Sequence, residues 1–150
     1  MQASIRQEIL PQAIADFIKM NKVATICCID EGTNPYCFNC FYAFQEKAHL
    51  LLFKSSADSH HSKLLSQNFK VAGTILPDKE ELLSLQGIQF SGRILQDPFP
   101  RQIRPEIIYH KVFPLALARP GHVWQIQLEM IKMTDNTRIF GKKIAWKKSN

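Results

Sequence analysis

The chain has 150 residues, 45% hydrophobic and 21% charged, with a formal net charge of +6. Its 10 Phe, 3 Tyr and 2 Trp exclude a disordered chain, and no apolar run approaches the roughly 18 residues of a membrane span. The length predicts a single domain over residues 1–150, burying about 68–70% of its unfolded surface without a disulfide or metal staple.

The first residues carry no basic segment followed by an apolar stretch, so no secretory signal is predicted and a cytoplasmic protein is expected. Residues 4–20 are predicted to be helical, because Ile5, Ile9, Ala13, Ile14, Phe17 and Ile18 recur at helical spacing. Ser4 and Gln7 have the form of a capping box. Pro11 interrupts the pattern, so the helix kinks there or begins there. Residues 23–29 are β-branched and apolar and predict a strand. Glu31 to Pro35 is a turn cluster, and residues 36–44 complete a hairpin. Residues 49–55 predict a third strand with Leu50 to Phe53 as a buried run. A helix is expected over 60–67, with Leu64 and Leu65 inward and Asn68 as its C-terminal cap.

Strands follow at 71–76 and 83–95. Five of the eight prolines then punctuate residues 98–120. Pro105 suits the first turn of a short helix, which Pro114 ends by residue 112 or 113. Residues 123–133 predict a long strand with Trp124, Ile126, Leu128 and Met130 on one face, and residues 139–146 a last strand. The pattern is mainly β (α+β): a six- to seven-stranded antiparallel barrel with two or three short flanking helices.

Four features could carry chemistry. Cys37-Phe38-Asn39-Cys40 is a C-x-x-C, but its odd spacing sends the two thiols to opposite faces of a strand. Adjacent Cys27 and Cys28 make a poor second pair of zinc ligands. Small, buried strand residues are the favoured reading, and no metal is predicted. The five histidines match no metal-binding spacing. The segment from Phe53 to His61 is different: a buried strand delivers Ser55 and Ser56 to a helix N-terminus carrying Ser59 and His61. Free N–H groups, hydroxyls and a protonated His61 would suit a phosphate. Capping by Asp58 or Ser59, with solvent-facing serines, accounts for the same residues equally well. Finally, Lys142, Lys143, Lys147 and Lys148 surround Trp146. Basic residues beside an aromatic can bind single-stranded nucleic acid, but the sparse spacing favours a solvated strand end.

Read together, four stretches resemble the FMN-binding split-barrel superfamily, the pyridoxamine 5'-phosphate oxidase-like group, and most of all its small YhbP-type proteins. The stretches are Phe53-x-Ser55-Ser56-x-x-Ser59-x-His61 with Leu65 and Asn68, Val71 to Ile75, Gly87 to Ile94, and Tyr109-x-x-x-Phe113-Pro114 followed by Val123-Trp124-x-Ile126. Thr134 to Thr137 and Phe140 to Trp146 are similar to the YhbP-type branch. The similarity spans about residues 13–147.

The resemblance implies a split β-barrel that binds FMN as a homodimer, with the flavin at the subunit interface. It implies Ser55, Ser56, Ser59 and His61 as phosphate ligands, and Asn39, Cys40 and Phe41 along the ring edge. Gln89 would make a polar contact to the ring, and Lys142 and Trp146 would reach the partner's flavin. His61 stands where many relatives have lysine, which would make phosphate binding pH-dependent. The chain ends in Lys148-Ser149-Asn150, without the Arg-Leu-x-Pro-type ending of true pyridoxamine-phosphate oxidases, so oxidation of pyridoxine phosphate is not implied. The implied function is a flavin-dependent oxidoreductase with a small-molecule substrate, and no catalytic residue is marked. The rivals are a non-catalytic flavin- or haem-binding protein, a deazaflavin-dependent reductase, and a single-stranded nucleic-acid-binding barrel.

Overall fold

The computed structural model describes residues 9–78, 85–96, 104–136 and 142–149. Helix α1, Gln12–Met20, starts immediately after Pro11, whose carbonyl accepts from Ile14 N and Ala15 N. Proline at this point begins the helix. Ile9 lies before it, 89% exposed, and the Ser4–Gln7 capping box lies outside the described residues. Ile14, Ala15, Phe17 and Ile18 form the buried stripe of α1.

Strands β1 (Val23–Ile29) and β2 (Pro35–Gln45) form the expected hairpin. Its turn is held by the Asp30 carboxylate, which accepts from Asn34 N at 2.8 Å and from Asn34 Nδ2. The first of these bonds is the main reason that the Asp30 carboxyl lies below its ordinary range. Strand β3 (Leu50–Ser55), helix α2 (His60–Gln67), strand β4 (Lys70–Ile75) and strand β5 (Gln86–Leu95) follow. Asn68 ends α2 in an extended conformation, its side chain accepting from Lys70 N. Helix α3 (Pro105–Val112) runs into a 3-10 turn, Pro114–Ala118, and then strands β6 (His122–Asp135) and β7 (Lys142–Lys147). The predicted starts of the fifth and last strands, at 83 and 139, lie outside the described residues.

All pairings are antiparallel in the order β3-β2-β1-β4-β5-β6-β7, and β3 also pairs with β6. This closes a six-stranded barrel, to which β7 is added. The long β6 makes closure possible. Along one edge its first half pairs with β3 (Leu51 opposite Ile126) and its second half with β7 (Ile131 opposite Trp146). At the junction, Leu128 N donates to His49 O and Lys148 N to Glu129 O.

The barrel interior holds Ile26, Leu51, Phe53, Ile75, Ile88, Ile126 and Leu128, with α1 and α2 contributing Ile18 and Leu65. A second cluster, Ala43, Leu50, Leu52, Tyr109 and Val123, packs between the outer wall and α3. Strand β3 is therefore covered on both faces, which is why Leu50 to Phe53 is an unbroken buried run.

One predicted face is corrected. Trp124, Ile126 and Leu128 do share the inner face, but Met130 is 53% exposed. Ser91 pairs with Met130 and Gly92 with Leu128, so Glu129 is an extra residue. This bulge reverses the alternation, and Ile131 and Met133 become the inward residues.

Candidate functional site

Strand β3 carries Ser55 to the barrel rim, and residues 56–59 turn the chain into α2. Ser59 is the N-cap of α2, accepting from Ser62 N at 3.3 Å and lying 2.8 Å from both Ser56 O and Ser62 Oγ. The Ser55 hydroxyl sits 3.3 Å from Ser59 Oγ and 2.5 Å from His61 Nε2. The His61 ring stacks on Phe38 at 3.9 Å. Burial, and secondarily the His60 charge, lower the affinity of His61 for a proton. Without a ligand His61 therefore favours its neutral form, and its Nε2 bonds to the Ser55 hydroxyl.

Beside this turn lies a pocket of about 580 Å³. Ser55, Ser56, Lys54 and Arg119 supply its polar lining. Phe41, Tyr109 and Phe113 supply aromatic walls, with Phe113 5.8 Å from Phe41 and 5.1 Å from Tyr109 between ring centroids. No carboxylate is among the described lining residues. Lys54 Nζ donates to Ala116 O at 2.8 Å and to His110 Nε2 at 2.9 Å, which fixes the ammonium and leaves one N–H for a ligand. Two hydroxyls, an ammonium and a guanidinium around one aromatic-walled space suit a flat ligand with a phosphate or other anionic group.

The residues singled out from the sequence divide into three groups. Ser55, Ser56 and Phe41 line the pocket. Ser59 and His61 do not line it, and they touch Ser55 from behind. Asn39 lies on the outer face of β2, accepting from Thr25 Oγ1 at 2.7 Å. Cys40 faces the other way and packs against the barrel core, where burial pushes its thiol pKa up to about 12. Gln89 and Trp146 belong to a separate pocket of about 510 Å³ between β5, β6 and β7. Trp146 is 8% exposed and packs in this chain's own core, with His49 against its ring at 4.8 Å. The Lys142 side chain lies outside the described residues.

Sequence reasoning missed Lys54, His110 and Arg119. Lys54 adjoins the serine turn in sequence, but strand alternation sets it on the face opposite Ser55, so periodicity alone does not mark it. Nothing in the spacing marks His110 or Arg119.

In fold, the chain is a split β-barrel similar to solved proteins related to pyridoxamine 5'-phosphate oxidase. It superposes on an FMN binding protein from Nostoc punctiforme PCC 73102 with a TM-score of 0.68 at 10% identity, covering 95% of this chain and 93% of that one. A FAD-binding protein from Mesorhizobium loti gives 0.64 at 16% identity, with 83% and 93% covered. A heme binding protein from Mycobacterium smegmatis gives 0.71 at 10% identity over 91% of this chain, which spans 59% of the mycobacterial chain's length. No protein-family model matches the chain.

Curated relatives are closer in sequence. A UPF0306 protein of Serratia proteamaculans is 33% identical over 135 residues, 90% of this chain and 93% of that protein. One from Photorhabdus laumondii is 33% identical over 137 residues, 91% and 95%. The chain belongs to the UPF0306 family.

Proposed function

We propose that this protein binds FMN as a homodimer and acts as a flavin-dependent oxidoreductase on a small-molecule substrate. The observation that carries this reading is the convergence of Lys54, Ser55, Ser56 and Arg119 on one aromatic-walled pocket without a lining carboxylate. The FMN-binding and FAD-binding structural neighbours support it. In this reading Ser55, Ser56, Lys54 and Arg119 hold the phosphate. Ser59 and His61 orient the Ser55 hydroxyl. Phe41 and Asn39 flank the ring from β2, while Gln89 and Lys142 meet the flavin held by a second copy.

Bound FMN would supply the hydride or electron transfer. The chain's own residues position the ring, exclude water through Phe41, Tyr109 and Phe113, and hold the phosphate. At the end of the β1–β2 hairpin away from its turn, the paired Val23 and Phe41 are 39% and 58% exposed, apolar surface suited to a second copy.

The test is the visible spectrum of the purified protein with added FMN, recorded after desalting. Flavin bands that survive support the proposal. Failure of a folded dimer to retain FMN at micromolar concentration overturns it. Parallel titrations with riboflavin, a deazaflavin and haem separate the neighbouring cofactor classes. A colourless protein with salt-dependent oligonucleotide binding would favour the nucleic-acid reading. NAD(P)H oxidation by the loaded protein then separates turnover from storage.

A further inference from the structure

We propose that Cys27 and Cys37 form a reversible cross-strand disulfide when the protein meets a peroxide. The two residues are direct partners in the β1–β2 ladder, and both are free thiols. Hydrogen-bonded pairs alternate along an antiparallel ladder. Asp30 N donates to Asn34 O at one end and Tyr42 N to Lys22 O at the other. Those pairs are even-numbered, so Cys27 and Cys37 form a non-hydrogen-bonded pair. Such pairs bring Cα atoms to about 4.5 Å, within the range of about 4.4–6.8 Å that a disulfide spans.

The side chains meet as well. Thr25 and Asn39, the next pair on the same outward face, are in contact at 2.7 Å, and Cys37 lies near enough to Cys27 to raise its thiol pKa. Cys37 is exposed and Cys27 half-buried. The pairing of β2 with β3 covers only Tyr42 to Gln45, so no β3 residue pairs with Cys37.

The chemistry balances with one hydrogen peroxide per pair. The Cys37 thiolate attacks one peroxide oxygen, the O–O bond breaks, and hydroxide leaves and takes a proton as water. Cys37 is then a sulfenic acid. The Cys27 sulfur attacks Cys37 Sγ, the S–O bond breaks, and the hydroxyl departs as a second water with the Cys27 proton. Two thiols lose two electrons and one peroxide gains them, and a thiol reductant reverses the step. Cys37 is the more exposed of the two thiols and meets the oxidant, while burial, and then the Cys37 side chain beside it, raise the pKa of Cys27. Cys28 and Cys40 face the barrel interior and stay reduced. Cys37 also lies between Tyr36 and Phe38, whose rings meet His60 and His61 at 4.8 and 3.9 Å. The bond would therefore form at the segment that supports the N-terminus of α2.

The test treats the reduced full chain with hydrogen peroxide. The expected result is a fall from four titratable thiols to two, a loss of two hydrogens in intact mass, and recovery with a reductant. All four cysteines share one tryptic peptide, residues 23–47, so Asp-N cleavage before Asp30 is added to reveal the cross-link. Cys37→Ser and Cys27→Ser should abolish the mass loss, and Cys40→Ser should keep it. The proposal is overturned by unchanged thiols, by a disulfide that survives Cys37→Ser, by a link between two chains, or by oxygen addition to Cys37 without a cross-link. The wild-type map alone decides the matter if a variant does not fold. No flavin is needed, so the outcome is independent of the FMN reading.

Discussion

Lys54 Nζ donates to His110 Nε2 at 2.9 Å, joining the end of β3 to α3 across 56 positions of sequence. The bond, together with the one to Ala116 O, holds a single ammonium on the wall of the pocket rather than leaving a mobile surface lysine. Charge-assisted hydrogen bonds contribute about 1.5–3 kcal/mol each. Lys54→Met should therefore weaken FMN about ten- to a hundred-fold while leaving riboflavin, which lacks the phosphate, nearly unchanged. Fluorescence titration with both ligands checks this. An equal loss for both would show that the phosphate does not sit at Lys54.

Ser59 is expected to act chiefly as a cap. Its side chain accepts from Ser62 N, and removal of an N-cap costs about 1 kcal/mol. Ser59→Ala should lower Tm by roughly 2–4 °C, the shift that such a loss produces in a domain of this size. Its effect on FMN should be smaller than that of Ser55→Ala, because Ser55 lines the pocket and Ser59 does not. Thermal melts and titrations of the two variants rank them, and the reverse order would place the phosphate over α2 instead.

His61 predicts a pH dependence of stability. Burial, and then His60, lower its folded-state pKa below the ordinary value, about 6.5 in an unfolded chain. Between the two values the unfolded chain binds more protons, so stability rises with pH. The neutral-histidine contribution is complete above about pH 6.5 and is lost as the pH falls below it. Melts from about pH 7 to 5 should show a decline that His61→Gln flattens. A decline of the same size in the variant would assign it to other groups.

Gly92→Ala tests the bulge. A Cβ at Gly92 would stand 2.2 Å from Gln127 O, a backbone atom, at the point where β6 accommodates Glu129. Backbone cannot swing aside, so a cost of about 3 kcal/mol is expected, the upper end for overpacking. Gly87→Ala is the control, since its Cβ meets the movable Leu76 side chain at 3.2 Å. Urea unfolding of both variants should separate them clearly.

Where local chemistry sets a boundary, that boundary is legible in the sequence. Ser59 starts α2 and Pro105 starts α3, while Pro114 closes off α3 at Val112, as expected. The hairpin of β1 and β2 follows from apolar strands around a turn cluster. The odd spacing of Cys37 and Cys40 separates them to opposite faces, and Cys40 alone packs against the core. Met130 was misassigned because alternation assumes an unbroken ladder, and the extra Glu129 lies opposite no residue that its own sequence identifies. Ser55 and Ser56 were found because a strand end and a helix start are both local signals. His110 and Arg119 were not found, because only the pairing of β3 with β6 carries their segment to Ser55.

The sequence by itself determined the elements, their order, the inward residues of most strands and the serine turn at the head of α2. These depend on side-chain periodicity, proline and capping, which act over a few residues. Only the tertiary structure decided how the barrel closes and which groups surround the pocket. Closure sets Leu51 against Ile126 and Lys54 against Val123, and packing of α3 on the outer wall brings His110 to Lys54. Those contacts join residues far apart in the chain, and their positions are fixed by the register and bulge of β6 rather than by any local preference.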